Sequence, residues 1–135
     1  MKKLIWGAIA LIVLFILALN SSILADQALA WVKANPKDPD AAVVLFRAGR
    51  WCDLMGNDEK AIQIYQQLYD QYPEKGELCA PALYYAASIR ANGSNILALR
   101  KQALPFLDIL LNQYSNQEEW RTKGKQLFDE VSYAH

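Results

Sequence analysis

The chain has 135 residues, 53% of them hydrophobic, with 14 basic and 14 acidic side chains. That length suits one domain, and the apolar content is slightly rich for a soluble one. From residue 21 onward 12 basic residues face 14 acidic ones, and no basic face or aromatic–basic interleaving speaks for nucleic acid.

The apolar excess sits at the N-terminus. Lys2 and Lys3 precede an uncharged run from Leu4 to Leu19, and counting on to Leu24 gives 21 residues, about the thickness of a bilayer core. Cleavage after Ile23-Leu24-Ala25 would put a bulky residue where small ones are preferred, so the segment reads as a retained signal-anchor rather than a signal peptide. Residues 1–25 are therefore expected to anchor the chain through residues 4–24. The lysines place the N-terminus in the cytoplasm and residues 26–135 outside it, in the periplasm or another extracytoplasmic space. Trp6 stands where an interfacial aromatic would. No glycine or proline occurs between Gly7 and Pro36, so one helix is expected to continue through residues 26–35, with Asn20-Ser21-Ser22 its weak point and Ala28 and Trp31 on its inner stripe.

The stretch DPDAAVVLFRAGRWCDLMGNDEKAIQIYQQLYDQYP, residues 38–73, carries most of the information. Asp38 is a good N-cap and Pro39 suits the first helical position. Ala42, Leu45, Phe46, Ala48, Gly49 and Cys52 recur at the spacing of one helical face, and Gly56 closes that helix. Asn57 or Asp58 caps a second helix with the stripe Ala61, Ile64, Tyr65, Leu68 and Tyr72, and Pro73 stops it. Two small residues at matching heights, Gly49 and Ala61, let the pair approach closely and antiparallel.

This stretch resembles a tetratricopeptide repeat, a helix–turn–helix unit of roughly 34 residues with the pattern W-x2-L-G-x2-Y, A-x3-F, P. With Pro73 on the last signature position, Leu45, Ala48, Gly49 and Cys52 fall on the first four, and Ala61 and Tyr65 on the next pair. Leu45 for Trp and Cys52 for Tyr are departures to smaller side chains. A second unit follows the Glu74-Lys75-Gly76 link. It has the stripe Ala82, Tyr85, Ala86 and Ile89, with Ala86 replacing the family glycine and Gly93 ending the helix. Residues 61–72 and 103–114 then align, with Ala, Leu, Gln and Tyr in register and Tyr72 matching Tyr114. Between Gly93 and Ala103 the chain holds five more residues than between Gly56 and Ala61. The turn is lengthened or the helix starts early. In the second case Pro105 must kink it. Ser115 or Asn116, each with Glu three residues on, offers a capping box. Trp120, Gly124 and Leu127 match a third first helix, with Lys123 where Leu is usual, and such a terminal helix shields the end of an array.

Candidate chemistry is thin. His135 is the one histidine and the last residue of this sequence, a poor place for a base or ligand. Cys52 and Cys79 lack CxxC spacing, so they either pair as a disulfide outside the cytoplasm or stand as two small buried residues. Asp38 and Asp40 read as caps. The pairs Glu118-Glu119 and Asp129-Glu130 read as solvated faces. No phosphate-binding glycine loop and no nucleophile–base set is present.

The expectation is an all-α chain: an N-terminal transmembrane helix, then about two tetratricopeptide-like hairpins and a C-terminal capping helix. The resemblance implies a concave face on the first helix of each unit, presenting Val43, Phe46, Arg50, Asp53, Leu83, Ala87 and Arg90, with Arg50 and Arg90 gripping a carboxylate or carbonyl of a protein partner. It implies protein binding without turnover, cofactor, metal or small-molecule substrate, as an accessory or assembly subunit beside a membrane complex. The alternative is a permanent structural subunit of a larger respiratory-type complex or of a pilus-like fibre.

Overall fold

The computed structural model describes residues 1–19 and 21–133. It is all-helical, with no strand among those residues: α1 (Lys2–Leu19), α2 (Ser21–Ala34), α3 (Ala41–Leu54), α4 (Asp58–Gln71), α5 (Gly76–Asn92), α6 (Leu97–Arg100), a 3₁₀ turn (Lys101–Ala103), α7 (Leu104–Gln113) and α8 (Glu118–Ser132). From α2 onward each long helix packs on the next, and α5 also touches α3 and α8.

The first hairpin follows from its turn chemistry. Asp38 Oδ1 accepts the Asp40 N–H at 2.9 Å, and the helix opens at Ala41, two residues after the expected proline start. At the far end Gly56 has φ +77°, Gly56 N–H bonds Asp53 O at 3.1 Å and Asn57 N–H bonds Cys52 O at 2.8 Å. That pair of bonds satisfies two terminal carbonyls and reverses the chain within three residues. Asn57 makes no side-chain cap. Its amide instead donates to Ser22 Oγ on α2 at 3.3 Å. Gly49 then sits against the Tyr65 ring so closely that a Cβ there would lie 2.5 Å from Cε1.

The second hairpin uses the same plan with a different joint. Gly93 ends α5 in ordinary helical geometry, φ −77°. Both sequence alternatives for Pro105 are realised in part. Helix resumes early at Leu97, passes into the 3₁₀ turn, and α7 starts at Leu104 with Pro105 in its first turn, where a missing N–H is harmless. The array closes on α8, whose Gly124 lies under Leu110 with room for no Cβ: 2.6 Å to Cδ2. The expected capping box at Ser115 or Asn116 does not form, because Gln117 takes the N-cap position and no side chain caps it.

One bond recurs between units. Tyr72 Oη donates to Pro36 O at 2.6 Å, and Tyr114 Oη donates to Pro73 O at 2.7 Å. Each second helix thus ends by fastening its last tyrosine to the proline carbonyl that closes the helix before the hairpin.

The N-terminal expectations need correction. Among the described residues no helix is long and apolar enough to cross a membrane. The reading of residues 1–25 as a transmembrane anchor, and of the chain as a single-pass protein with an exported domain, is withdrawn. The reason is length: α1 opens with Lys2 and Lys3, and the run Leu4–Leu19 that remains spans about 24 Å at 1.5 Å per residue, short of the ~30 Å hydrocarbon core. The count to Leu24, like the expected continuity of one helix, passes through Asn20, which lies outside the described residues, as does His135. On α2 the buried stripe is Ala25 and Val32 with Ala28 and Leu29 beside them, whereas Trp31 faces outward at 38% exposure.

Candidate interaction surface

The expected binding residues divide. Phe46, Arg50 and Asp53 lie one turn apart on α3 and remain half-exposed, as does Val43. Leu83 and Ala87 do not join them. Both are sealed in the core, at 2% and 0% exposure, on a helix that α4, α7 and α8 all pack against. Arg90 is likewise engaged: its two terminal nitrogens meet the Glu59 carboxylate at 2.6 and 3.2 Å, tying α5 to the start of α4.

What stands beside Phe46 instead is a strip of rings. Phe46 and Tyr85 are 6.3 Å apart between centroids, Tyr84 and Tyr85 6.0 Å, and Tyr85 and Trp120 5.5 Å, with Tyr65 behind at 6.1 Å from Tyr85. These tilted and edge-on pairs match the preference set by ring quadrupoles. The strip crosses α3, α5 and α8. Two cations lie on it: the Arg50 guanidinium is 4.0 Å from the Tyr85 centroid, and Lys123 Nζ is 4.6 Å from that of Trp120. Each is held from the side by an acid, Arg50 by Asp53 at 3.0 Å and Lys123 by Glu119 at 3.0 Å.

Burial shapes the ionisation here. Partial burial pushes the Asp53 carboxyl up, Arg50 pulls it back, and the Asp58 charge adds to the upward shift. The Tyr65 hydroxyl, 3.5 Å from Asp53 Oδ2, rises far above its ordinary value, mainly by burial and then by the Asp53 charge. A phenol so shifted stays protonated and acts as a donor.

In the sequence Tyr85 and Trp120 fall on packing stripes, and Tyr84 and Lys123 carry no expected surface role. The available signal was the Tyr84-Tyr85 pair, since two adjacent tyrosines on one helix point about 100° apart and cannot both face a single core. The possible disulfide does not form: Cys52 and Cys79 are both free and buried. They sit near opposite ends of α4, about 20 Å apart by its length, where a disulfide needs Cα atoms within about 7 Å. Cys79 donates to Tyr72 O at 3.2 Å, and burial raises its thiol to about 11. Such a thiol is not a nucleophile at neutral pH. Among the described residues no group of three or more His, Cys, Asp or Glu side chains is placed to hold a metal.

No protein-family model, no curated protein and no solved structure matches the chain.

Proposed function

We propose that this chain is a non-catalytic interaction module of tetratricopeptide-like hairpins, an accessory or assembly subunit that holds a segment of a protein partner on the face shared by α3, α5 and α8. The observation that carries the reading is the half-exposed strip Phe46–Tyr85–Tyr84–Trp120 with Arg50 and Lys123 laid upon its rings. Aromatic and arginine side chains dominate interface energetics, and rings already packed against one another lose little freedom on binding. Gly49 against Tyr65 and Gly124 against Leu110 support the hairpin resemblance, since both are family glycine positions pressed by a neighbouring helix.

The test is a Phe46→Ala/Arg50→Ala double variant, checked first for unchanged helicity and then for partner retention against the wild-type chain. Retention should fall at least about tenfold, the loss of one hot-spot anchor. Retention at wild-type level removes the surface.

A second reading, a permanent structural subunit of a larger assembly or fibre, has its own observation. α1 exposes Leu4, Trp6, Leu11 and Phe15 at 80%, 70%, 69% and 65%, a large apolar surface for a chain standing alone. It predicts that the chain cannot be separated from its assembly without aggregating, and that the Phe46/Arg50 variant co-purifies as the wild type does.

A further inference from the structure

Next to the aromatic strip a cavity of about 270 Å³ opens between the end of α3, the start of α4 and the last turns of α5. Its walls include Asp53, Asp58, Ser88 and Asn92, with Tyr85 as the aromatic side, and contain no lysine or arginine. The neighbouring cations are already matched. Arg50 lies on Tyr85 and bonds Asp53 Oδ2, and Arg90 is clasped by Glu59. Among the described residues, Asp53 Oδ1 and both Asp58 oxygens accept no side-chain hydrogen bond and meet no cation. The upward push on the Asp53 carboxyl reflects the same situation: one guanidinium shared against burial and a second negative charge.

We infer that this cavity receives a lysine or arginine side chain of the partner segment that lies on the strip. The inference rests on the interaction-module reading and names its chemistry, and it reverses the sign expected from the sequence. Arg50 and Arg90 are expected from the sequence to grip a partner's carboxylate, but each already holds a carboxylate of this chain, Asp53 and Glu59, and the unpaired groups at this end of the strip are acceptors. An incoming ammonium or guanidinium finds two carboxylates, a hydroxyl and an amide oxygen, with a tyrosine ring along its stem. Charge-assisted bonds of this kind are about twice as strong as neutral ones. The apolar neighbours of the cation would lie over Phe46 and Tyr85, so the recognised segment pairs a basic residue with an apolar or aromatic one.

The experiment uses the purified full chain and two pools of short random peptides, one with arginine fixed at the centre beside a leucine, the other with glutamate in its place. The arginine pool should be retained about tenfold more than the glutamate pool, the discrimination of one charged hydrogen-bonding group. Asp58→Asn, at an exposed helix start, should remove most of that preference, and Asp53→Asn/Asp58→Asn all of it, with circular dichroism unchanged. Glu130→Gln, an acid outside the cavity, should leave it intact. Arginine-pool retention undiminished in both aspartate variants overturns the inference. A glutamate preference that Phe46→Ala abolishes also overturns it, while leaving the interaction surface standing. Equal retention of both pools by wild type and Phe46→Ala overturns inference and surface together.

Discussion

The two hairpins, α3 with α4 and α5 with α7, solve one packing problem with different joints. In the first, a glycine at φ +77° turns the chain within three residues, and a second glycine lets the Tyr65 ring lie directly on the α3 backbone. In the second, Ala86 replaces that glycine, and the connection wanders through α6 and a 3₁₀ turn before α7 begins. The first hairpin is thus defined by close backbone approach. The second lacks that glycine contact and buries large side chains on its two helices, among them Leu83, Leu107 and Leu110. Close approach leaves no tolerance for added atoms, whereas side-chain packing relaxes in part when a group is added or lost.

The largest effect that would break this contrast is Gly49→Leu. A Cβ alone would stand 2.5 Å from Tyr65 Cε1, and a leucine must push the ring and α4 away, at a cost of about 3 kcal/mol, the upper part of the usual overpacking range. Ala86→Leu, at the matching position of the second hairpin, should cost less. Denaturant midpoints of the two variants measure the difference. If Gly49→Leu melts with the wild type, the two helices do not pack as described.

The middle effect concerns the bonds between units. Tyr114→Phe removes a donor that is 5% exposed and leaves Pro73 O without its partner, while Tyr72→Phe does so at a half-buried position. Losses of about 1–2 kcal/mol for Tyr114→Phe and about 0.5–1 kcal/mol for Tyr72→Phe are expected from urea unfolding. Reversal of that order would mean that burial does not govern these bonds.

The smallest effect is on pH. Hydrogen bonding to Arg90, and then its charge, lowers the Glu59 carboxyl below its ordinary value. A depressed acid contributes stability that is present above the unfolded carboxylate value and lost as pH falls through the folded one. Arg90→Ala should therefore reduce the chain's loss of stability on acidification and leave its stability at neutral pH close to that of wild type, since Glu59 is largely exposed and its pair with Arg90 is screened by solvent. A steeper acid limb in the variant would show that Arg90 stabilises the fold by other means.

Much of this architecture was legible in the residues, and the rest was not for identifiable reasons. The stripe Ala61, Ile64, Tyr65 and Leu68 is buried as its periodicity requires, and Gly56 takes the positive φ that a helix-ending glycine permits. Pro105 is ambiguous in the sequence because a proline fits a helix start and a kink alike, and the structure combines the two: helix resumes at Leu97, and the 3₁₀ turn before Leu104 leaves Pro105 in a first turn. Leu83 and Ala87 are expected on a surface only through the family's groove positions, and a groove position carried over from a resemblance says nothing about which neighbouring helices pack against α5 here. Trp31 follows the same logic in reverse: an aromatic at helical spacing looks like core until the neighbour is found on the other side. The pairs Arg90–Glu59 and Tyr85–Trp120, separated by 31 and 35 residues, are products of the array and not of any local pattern. The all-helical class follows from local periodicity, and the described residues are all-helical without a strand. The 21-residue apolar run needs residues beyond Leu19, where α1 ends, and α1 alone does not supply the length.

The tyrosine-to-proline bonds have a consequence for how such a chain can change over time. Tyr72 reaches back 36 residues to Pro36, and Tyr114 reaches back 41 to Pro73, yet the two bonds are nearly the same length, 2.6 and 2.7 Å. The five extra residues are taken up between Gly93 and Ala103 and never reach the clasp. Each unit is therefore gauged by the contact that closes it, not by the number of residues it encloses. Insertions at that connector are local events, because lengthening an open loop costs only the slow logarithm of its size. Deletions within α4 or α7 would move a hydroxyl off its carbonyl and put the whole stack out of step.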